Sequence, residues 1–335
     1  MEVMKIKNLY QMSDLSNSVV TPKIFDYLVI ALNEGEARCW NLLIKLALKQ
    51  TVIKNLIILG YNIEQVKVEK NIKEILKENI KHIHFIAGNR TQHLPDFNSI
   101  RRMITNFDEA NKMGMDLTCM PVPLFFLLMK WIAKNTKKLF IYYTQPGQYI
   151  LSDGLFASYF SMKGPVSVDE IYGFAGIAAN DSDGKRLLAC MLGFDNDLLP
   201  IVIQEAGPNK VIAINGFPSY YPKFKDISLA NNQRVLSGTG YVGLLEKTKK
   251  LSDYVYVEAI NPFEAYNAID DIVKEFKDYC IDVVPLGTKP MALGVCLYAI
   301  DDTNVRVIFP NPETYVSNIS QESKKTVEYV IEFRM

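Results

Sequence analysis

Hydrophobic positions in this chain fall into two alternating patterns: short continuous apolar runs, and longer stretches in which apolar residues recur every three or four positions. The first kind predicts buried strands and the second amphipathic helices. Residues 27–32 (YLVIAL) read as a strand, followed by the turn NEGEAR and a helix-forming stretch, CWNLLIKLALKQ. Residues 55–60 (NLIILG) predict a second strand. In the charged segment 64–81, Val68, Ile72, Ile75 and Leu76 stand at helical spacing. A strand at 82–88, a helix near 97–112, and strands at 115–118 and 139–143 around a helix-length segment complete the first half. The order restarts at 187 with LLACMLGF as strand and turn, LLPIVIQEA as helix and KVIAING as a strand ending in Gly216. DYVYVEAIN is a further strand, and Asn261, Pro262 and Glu264 supply an N-cap, a first-turn proline and a capping-box acid for a helix to about Asp278. Strands alternating with helices predict an α/β fold with mainly parallel sheets and right-handed crossovers.

The two halves also align with each other. Residues 115–149 and 281–315 match without a gap at an offset of 166, pairing Asp116 with Asp282, Leu127 with Leu293, Ala133 with Ala299, Pro146 with Pro312 and Tyr149 with Tyr315. The shared order of an acid in a strand, a turn, a buried helix and a strand ending in Pro-x-x-Tyr predicts a tandem duplication of a Rossmann-like unit. The expected division is a first unit at 1–150, a connector at 151–186, rich in Gly, Ser, Asp and Ala, and a second unit at 187–335. Two units use nearly all of the 335 residues, so any output is expected from a partner, from oligomer rearrangement or from a pocket itself.

Charge and cysteine content narrow the function. Lys plus Arg and Asp plus Glu number 37 each, so no net field recruits nucleic acid or an anionic membrane, and an anion must be caught by a local pocket. The five cysteines (Cys39, Cys119, Cys190, Cys280, Cys296) are scattered without a CxxC pair, which predicts reduced thiols in a cytoplasmic protein and no zinc ribbon. The first residues lack the apolar core of a signal peptide, and the longest uncharged apolar run, 117–129, is too short for a membrane span.

Chemistry concentrates at 285–291, Pro-Leu-Gly-Thr-Lys-Pro-Met, which follows an apolar strand and opens a small-residue helix. Ligands of open parallel sheets bind beyond the carboxyl ends of the strands, where helix N-termini offer N–H groups to anions. Gly287 permits close backbone approach, Thr288 offers a hydroxyl and Lys289 a charge; Gly193, Asp195, Gly216 and Asp282 are expected around the same pocket. This turn resembles the Gly-Thr-Lys signature of CARF-like Rossmann domains, the sensors of cyclic oligoadenylates and related nucleotides in prokaryotic antiviral defence. Leu286 stands where that signature often has a second Gly. The resemblance runs through 187–193, the strand ending at Gly216 and the GTKPM turn, and it implies an anionic nucleotide ligand; no cofactor or metal is expected, since His and Asp residues do not cluster. In the first half the corresponding residues are Pro121, Val122 and Pro123, which supply neither charge nor a flexible turn.

A secondary candidate is the turn bearing Glu34, Glu36 and Arg38, able to hold a ribose, a metal or a partner's charge, or simply solvated charges at a helix start. The polar and aromatic segment 217–241 reads as a long loop, with Tyr220, Tyr221, Lys223, Lys225 and Arg234 placed to stack on a base or pair with phosphate, and 237–241 (SGTGY) as a second phosphate turn. His82, His84 and His93 form no metal-ligand pair and there is no GxSxG elbow. The expectation is a nucleotide-sensing or regulatory subunit of a defence system acting with a protein partner or as a homo-oligomer. The alternatives are a nucleotide-cleaving phosphodiesterase or hydrolase using the same pocket, and a non-catalytic structural subunit.

Overall fold

A computed structural model describes residues 6–15, 21–104, 111–150, 161–176, 184–236, 251–316 and 319–333. The chain is α/β and divides into two compact units, each built on a mainly parallel sheet.

The first unit contains β1 (Ile6–Asp14), β2 (Ile24–Asn33), α1 (Asn41–Leu48), β3 (Val52–Tyr61), α2 (Gln65–Leu76), β4 (Ile80–Ala87), α3 (His93–Met103), β5 (Met113–Asp116), α4 (Val122–Ala133) and β6 (Lys138–Tyr149). The second contains β7 (Met162–Glu170), β8 (Arg186–Met191), α5 (Leu198–Ala206), β9 (Lys210–Gly216), α6 (Pro222–Leu236), β10 (Leu251–Val257), α7 (Pro262–Glu275), β11 (Cys280–Pro285), α8 (Lys289–Asp301) and β12 (Val305–Tyr315). The chain then returns to the first unit as β13 (Ser320–Phe333).

Strand order in the first sheet is β1-β13-β6-β5-β2-β3-β4 and in the second β10-β9-β8-β11-β12-β7. Each therefore holds the same five parallel strands, β6-β5-β2-β3-β4 matching β12-β11-β8-β9-β10, flanked by an antiparallel strand at the same end, β13 on β6 and β7 on β12. The strand order reverses between β2 and β5 in one unit and between β8 and β11 in the other, which are the two switch points of the fold. Asp116 and Asp282 lie on matching strands, as do Tyr149 and Tyr315. The pairing register is not the same, however: Met113 faces Leu139, whereas Ile281 faces Val305, so the second unit has slipped two residues against the gap-free alignment. Asp116 ends its strand, while Asp282 lies near the start of its own.

Sequence pattern explains the elements. β2 and β3 are buried along most of their length, as central strands of a parallel sheet are, so they read as continuous apolar runs. The helices after the switch-point strands, α4 and α8, are buried almost all round and accordingly lack a polar face. At α7, the Asn261 side chain accepts from the Phe263 N–H at 3.1 Å as the expected N-cap, but the capping box does not close: Glu264 accepts from the Glu258 N–H at 2.6 Å, and the Asn261 N–H donates to the Glu258 carbonyl at 3.0 Å.

Four expectations are corrected. Residues 151–186 are not only a connector, since β7 adds a strand to the second sheet by pairing with β12. The last residues belong to the first unit, where β13 lies between β1 and β6. The supposed loop at 217–241 contains the 15-residue helix α6, whose buried stripe includes Ser228, Asn231 and Asn232; polar residues on the inward face hide the helical period. Finally, Cys39 and Cys119 form a disulfide, with Cα atoms 6.0 Å apart, while Cys190, Cys280 and Cys296 are free thiols. Their separation of 80 residues conceals that β2 and β5 are neighbours. Among the described residues, no helix is long and apolar enough to cross a membrane.

Candidate functional site

The candidate site lies at the switch point of the second unit, where the turn after β8 meets the turn after β11. Backbones approach so closely there that a Cβ on Gly193 would lie 2.3 Å from the Leu286 carbonyl oxygen. Side chains crowd the other two: a Cβ on Gly287 would stand 3.1 Å from the Met291 side chain in the first turn of α8, and one on Gly216 would stand 2.9 Å from Ala259 and 3.3 Å from Met291. Three of the residues expected at the site thus stand where a side chain would meet a neighbour: the Leu286 carbonyl at Gly193, Ala259 at Gly216 and Met291 at Gly287.

Thr288 is the N-cap of α8. Its hydroxyl oxygen accepts from the Met291 N–H at 3.3 Å and its proton goes to the Ala259 carbonyl. The hydroxyl expected to meet a ligand instead holds the helix start in place. Lys289 is the first residue of α8, half-buried, with Pro290 next, so the site carries a cation where the helix dipole is positive. The Tyr220 hydroxyl donates to the same Ala259 carbonyl at 3.4 Å, which brings this aromatic residue beside Thr288. Tyr221 packs edge-on against Phe224 and Lys225 lies over the Phe217 ring at 5.0 Å, so both serve the local packing. The segment 237–241 lies outside the described residues.

The two acids are committed elsewhere. Asp195 is buried and accepts from the Ser161 N–H at 2.8 Å and the Ser161 hydroxyl at 2.7 Å, fixing the chain as it enters β7. Asp282 receives a two-pronged ion pair from Arg306 of the adjacent strand at 2.7 and 2.8 Å, with Arg186 at 3.7 Å, away from the carboxyl edge. Hydrogen bonding to Asp282 raises the Arg306 pKa against the opposing effect of burial. Two residues without a local sequence signal shape the site: the Asn232 side chain donates to the Gly193 carbonyl at 3.0 Å and Asn231 to the Phe194 carbonyl at 2.6 Å. Both lie on α6 and hold the turn that faces Gly287.

At the first unit's switch point, Glu34 is exposed, but Glu36 and Arg38 are 4% and 5% exposed and bonded to each other at 2.8 Å. This corrects the expectation of solvated charges. Arg38 also donates to the Thr144 carbonyl at 3.2 Å and the Tyr143 hydroxyl at 3.5 Å, and Glu36 accepts from the Ser320 hydroxyl. Burial opposes the Arg38 charge, yet Tyr143, Tyr149 and Glu36 outweigh it and its pKa is raised. Asp116 accepts from the Thr118 N–H at 2.9 Å, Thr118 accepts from the Thr144 N–H at 2.9 Å, and the Thr144 and Thr326 hydroxyls meet at 2.9 Å. The Cys39–Cys119 disulfide joins the two turns across this network.

No known family's sequence pattern matches the chain, and no curated protein matches it. Among solved structures, it is similar to a Type III CRISPR defence DNA nuclease activated by cyclic oligoadenylate, at 9% identity over 90% of this chain and 67% of that one, with a TM-score of 0.50. It also aligns with the cytoplasmic domain of a prokaryotic cation chloride cotransporter, at 7% identity over 86% of this chain and 95% of that one, with a TM-score of 0.27. The first likeness is one of fold.

Proposed function

We propose that the chain is a nucleotide-sensing or regulatory subunit of a prokaryotic antiviral defence system, binding an anionic nucleotide at the second unit's switch point. The observation that carries this reading is the entrance of α8 at the carboxyl ends of β8, β9 and β11, where Lys289 opens the helix, Met291 of its first turn packs on Gly287 and Gly216, and the Leu286 carbonyl just before it packs on Gly193. A helix N-terminus with a lysine at its first position favours a phosphate. The fold likeness to a nuclease activated by cyclic oligoadenylate makes that class the first ligand to test. Sensing is favoured over hydrolysis because the Thr288 hydroxyl, which a hydrolase would use with Lys289 on the transferring phosphoryl group, is engaged by the Met291 N–H and the Ala259 carbonyl, and Asp195 and Asp282 are held by Ser161 and Arg306.

Mass spectrometry of small molecules released on denaturing the purified protein tests the reading directly. A co-purifying nucleotide, or calorimetric binding of a cyclic oligoadenylate, is the expected result. Absence of binding by cyclic oligoadenylates, AMP and ATP at millimolar concentration would sink it.

A further inference from the structure

The first unit's disulfide lies at the junction of several interactions that converge on one residue of β6. Arg38, immediately before Cys39, donates to the Thr144 carbonyl at 3.2 Å, and Thr118, immediately before Cys119, accepts from the Thr144 N–H at 2.9 Å. Both polar groups of the Thr144 backbone are therefore held by residues adjoining the bridged cysteines. Beyond Thr144 the pairing of β6 with β13 is interrupted between Ser323 and Thr326, and resumes at Ser323 with Pro146 as far as Ser320 with Tyr149. The inner edge of this break is tied by the Thr144–Thr326 hydroxyl pair and by Asn41 on Thr326 at 3.1 Å, and the outer segment itself by Ser320 on Glu36. Each tie runs to a residue within three positions of Cys39 or to Thr144 itself. The same segment is where the chain leaves the first unit after Ile150 and re-enters it near Ile319, with the Ile150 N–H donating to the Ile319 carbonyl at 3.0 Å.

We propose that Cys39–Cys119 is a thiol–disulfide exchange site whose oxidised form locks the outer β6–β13 segment. Its reagent class is a dithiol reductant. Cys39 and Cys119 are both buried, at 0% and 6% exposure, so exchange proceeds through local opening of the turn that carries Cys119, the less buried residue, where the reductant meets its sulfur. The reductant's thiolate bonds to Cys119 Sγ, the S–S bond breaks and Cys39 leaves as a thiolate that takes up a proton. The reductant's second thiol then displaces Cys119, giving two protein thiols and the oxidised, cyclic disulfide of the reductant. Two electrons and two protons pass to the protein, and the turns carrying Arg38 and Thr118 lose their covalent link.

Hydrogen exchange of the full-length protein, equilibrated with oxidised or reduced dithiothreitol and followed by alkylation and peptide mapping, tests the proposal. The expected result is that Cys39 and Cys119 become alkylatable together only after reduction. Amides in 142–150 and 319–327 then exchange faster by about tenfold or more while those of β3 keep their protection. Single variants fix the direction of attack: with Cys39→Ser, Cys119 should form a mixed disulfide with oxidised glutathione in the folded protein, and with Cys119→Ser, Cys39 should not. Three results would each overturn the proposal: unchanged protection of 142–150 and 319–327 after full reduction, alkylation of both cysteines without reductant, or reduction only where β3 is also unprotected.

Discussion

The two switch points share their strand order but not their contents. In the first unit the crevice is filled by the chain's own groups: a buried Glu36–Arg38 pair, hydroxyls of Thr118, Thr144, Thr326 and Ser320, and a disulfide. In the second, the same position holds glycines at close approaches, Gly193 against the Leu286 carbonyl and Gly216 and Gly287 against the side chains of Ala259 and Met291, with Lys289 at the start of a helix. One site is closed by a buried ion pair and a disulfide; the other places a lysine at the N-terminus of a helix. A shared topology therefore supplies a place for a ligand without determining whether a ligand fills it.

The contrast predicts where substitutions act. Arg38→Ala should have the largest effect, because it leaves Glu36 buried and unpaired; the expected loss is about 3 to 5 kcal/mol of stability in a denaturant melt. A loss below about 1 kcal/mol would mean that the first site is not sealed by its ion pair. Removing the bridge with Cys39→Ser and Cys119→Ser together should cost about 2 to 4 kcal/mol, since an 80-residue separation is freed in the unfolded chain. That loss should match the effect of reduction on the wild type.

In the second unit, Gly193→Ala must displace the Leu286 carbonyl, and an expected cost of about 1 to 3 kcal/mol should be accompanied by weaker nucleotide binding. Unchanged melting and binding would show that the backbones do not need this contact.

A smaller effect separates the first unit's other carboxyl edge from both sites. Burial raises the Asp96 pKa to about 6, against bonds from the Asn89 N–H and the Tyr61 hydroxyl, and burial with nearby Arg90 lowers that of His93 to about 4. For Asp96 the folded state holds its proton longer than the unfolded chain, so its contribution to stability falls between about pH 4 and 6. For His93 the unfolded chain is the better proton binder between about pH 4 and 6.5, so stability rises with pH there. The two slopes oppose each other in the wild type. Asp96→Asn should therefore gain stability more steeply over this range, and a melt series showing parallel curves would contradict the assignment.

How much of this was legible in the sequence depends on the kind of residue that marks each element. Strands such as β2, β3 and β11 and the buried helices α4 and α8 are nearly pure apolar runs, and the GTKPM turn reads correctly as a strand-to-helix junction. Helix α6 is hidden because its inward residues Asn231 and Asn232 bond to backbone carbonyls rather than pack as hydrophobes. β7 and β13 join sheets whose other strands lie far away in sequence, a pairing that no local pattern encodes. The roles of Asp195, Asp282 and Thr288 depend on partners at Ser161, Arg306 and Ala259, so their residue types suggested a ligand where the fold supplies an internal bond.

The central claim, that the α8 entrance is the phosphate seat, is tested most directly by calorimetric titration of wild type and Lys289→Ala with a cyclic oligoadenylate, alongside melting curves and Lys274→Ala as an exposed control. A charge-assisted phosphate contact contributes about 1.5 to 3 kcal/mol, so Lys289→Ala should bind about ten- to a hundredfold more weakly, with its melting temperature and the Lys274→Ala control nearly unchanged. Binding by Lys289→Ala as tight as wild type would contradict the account.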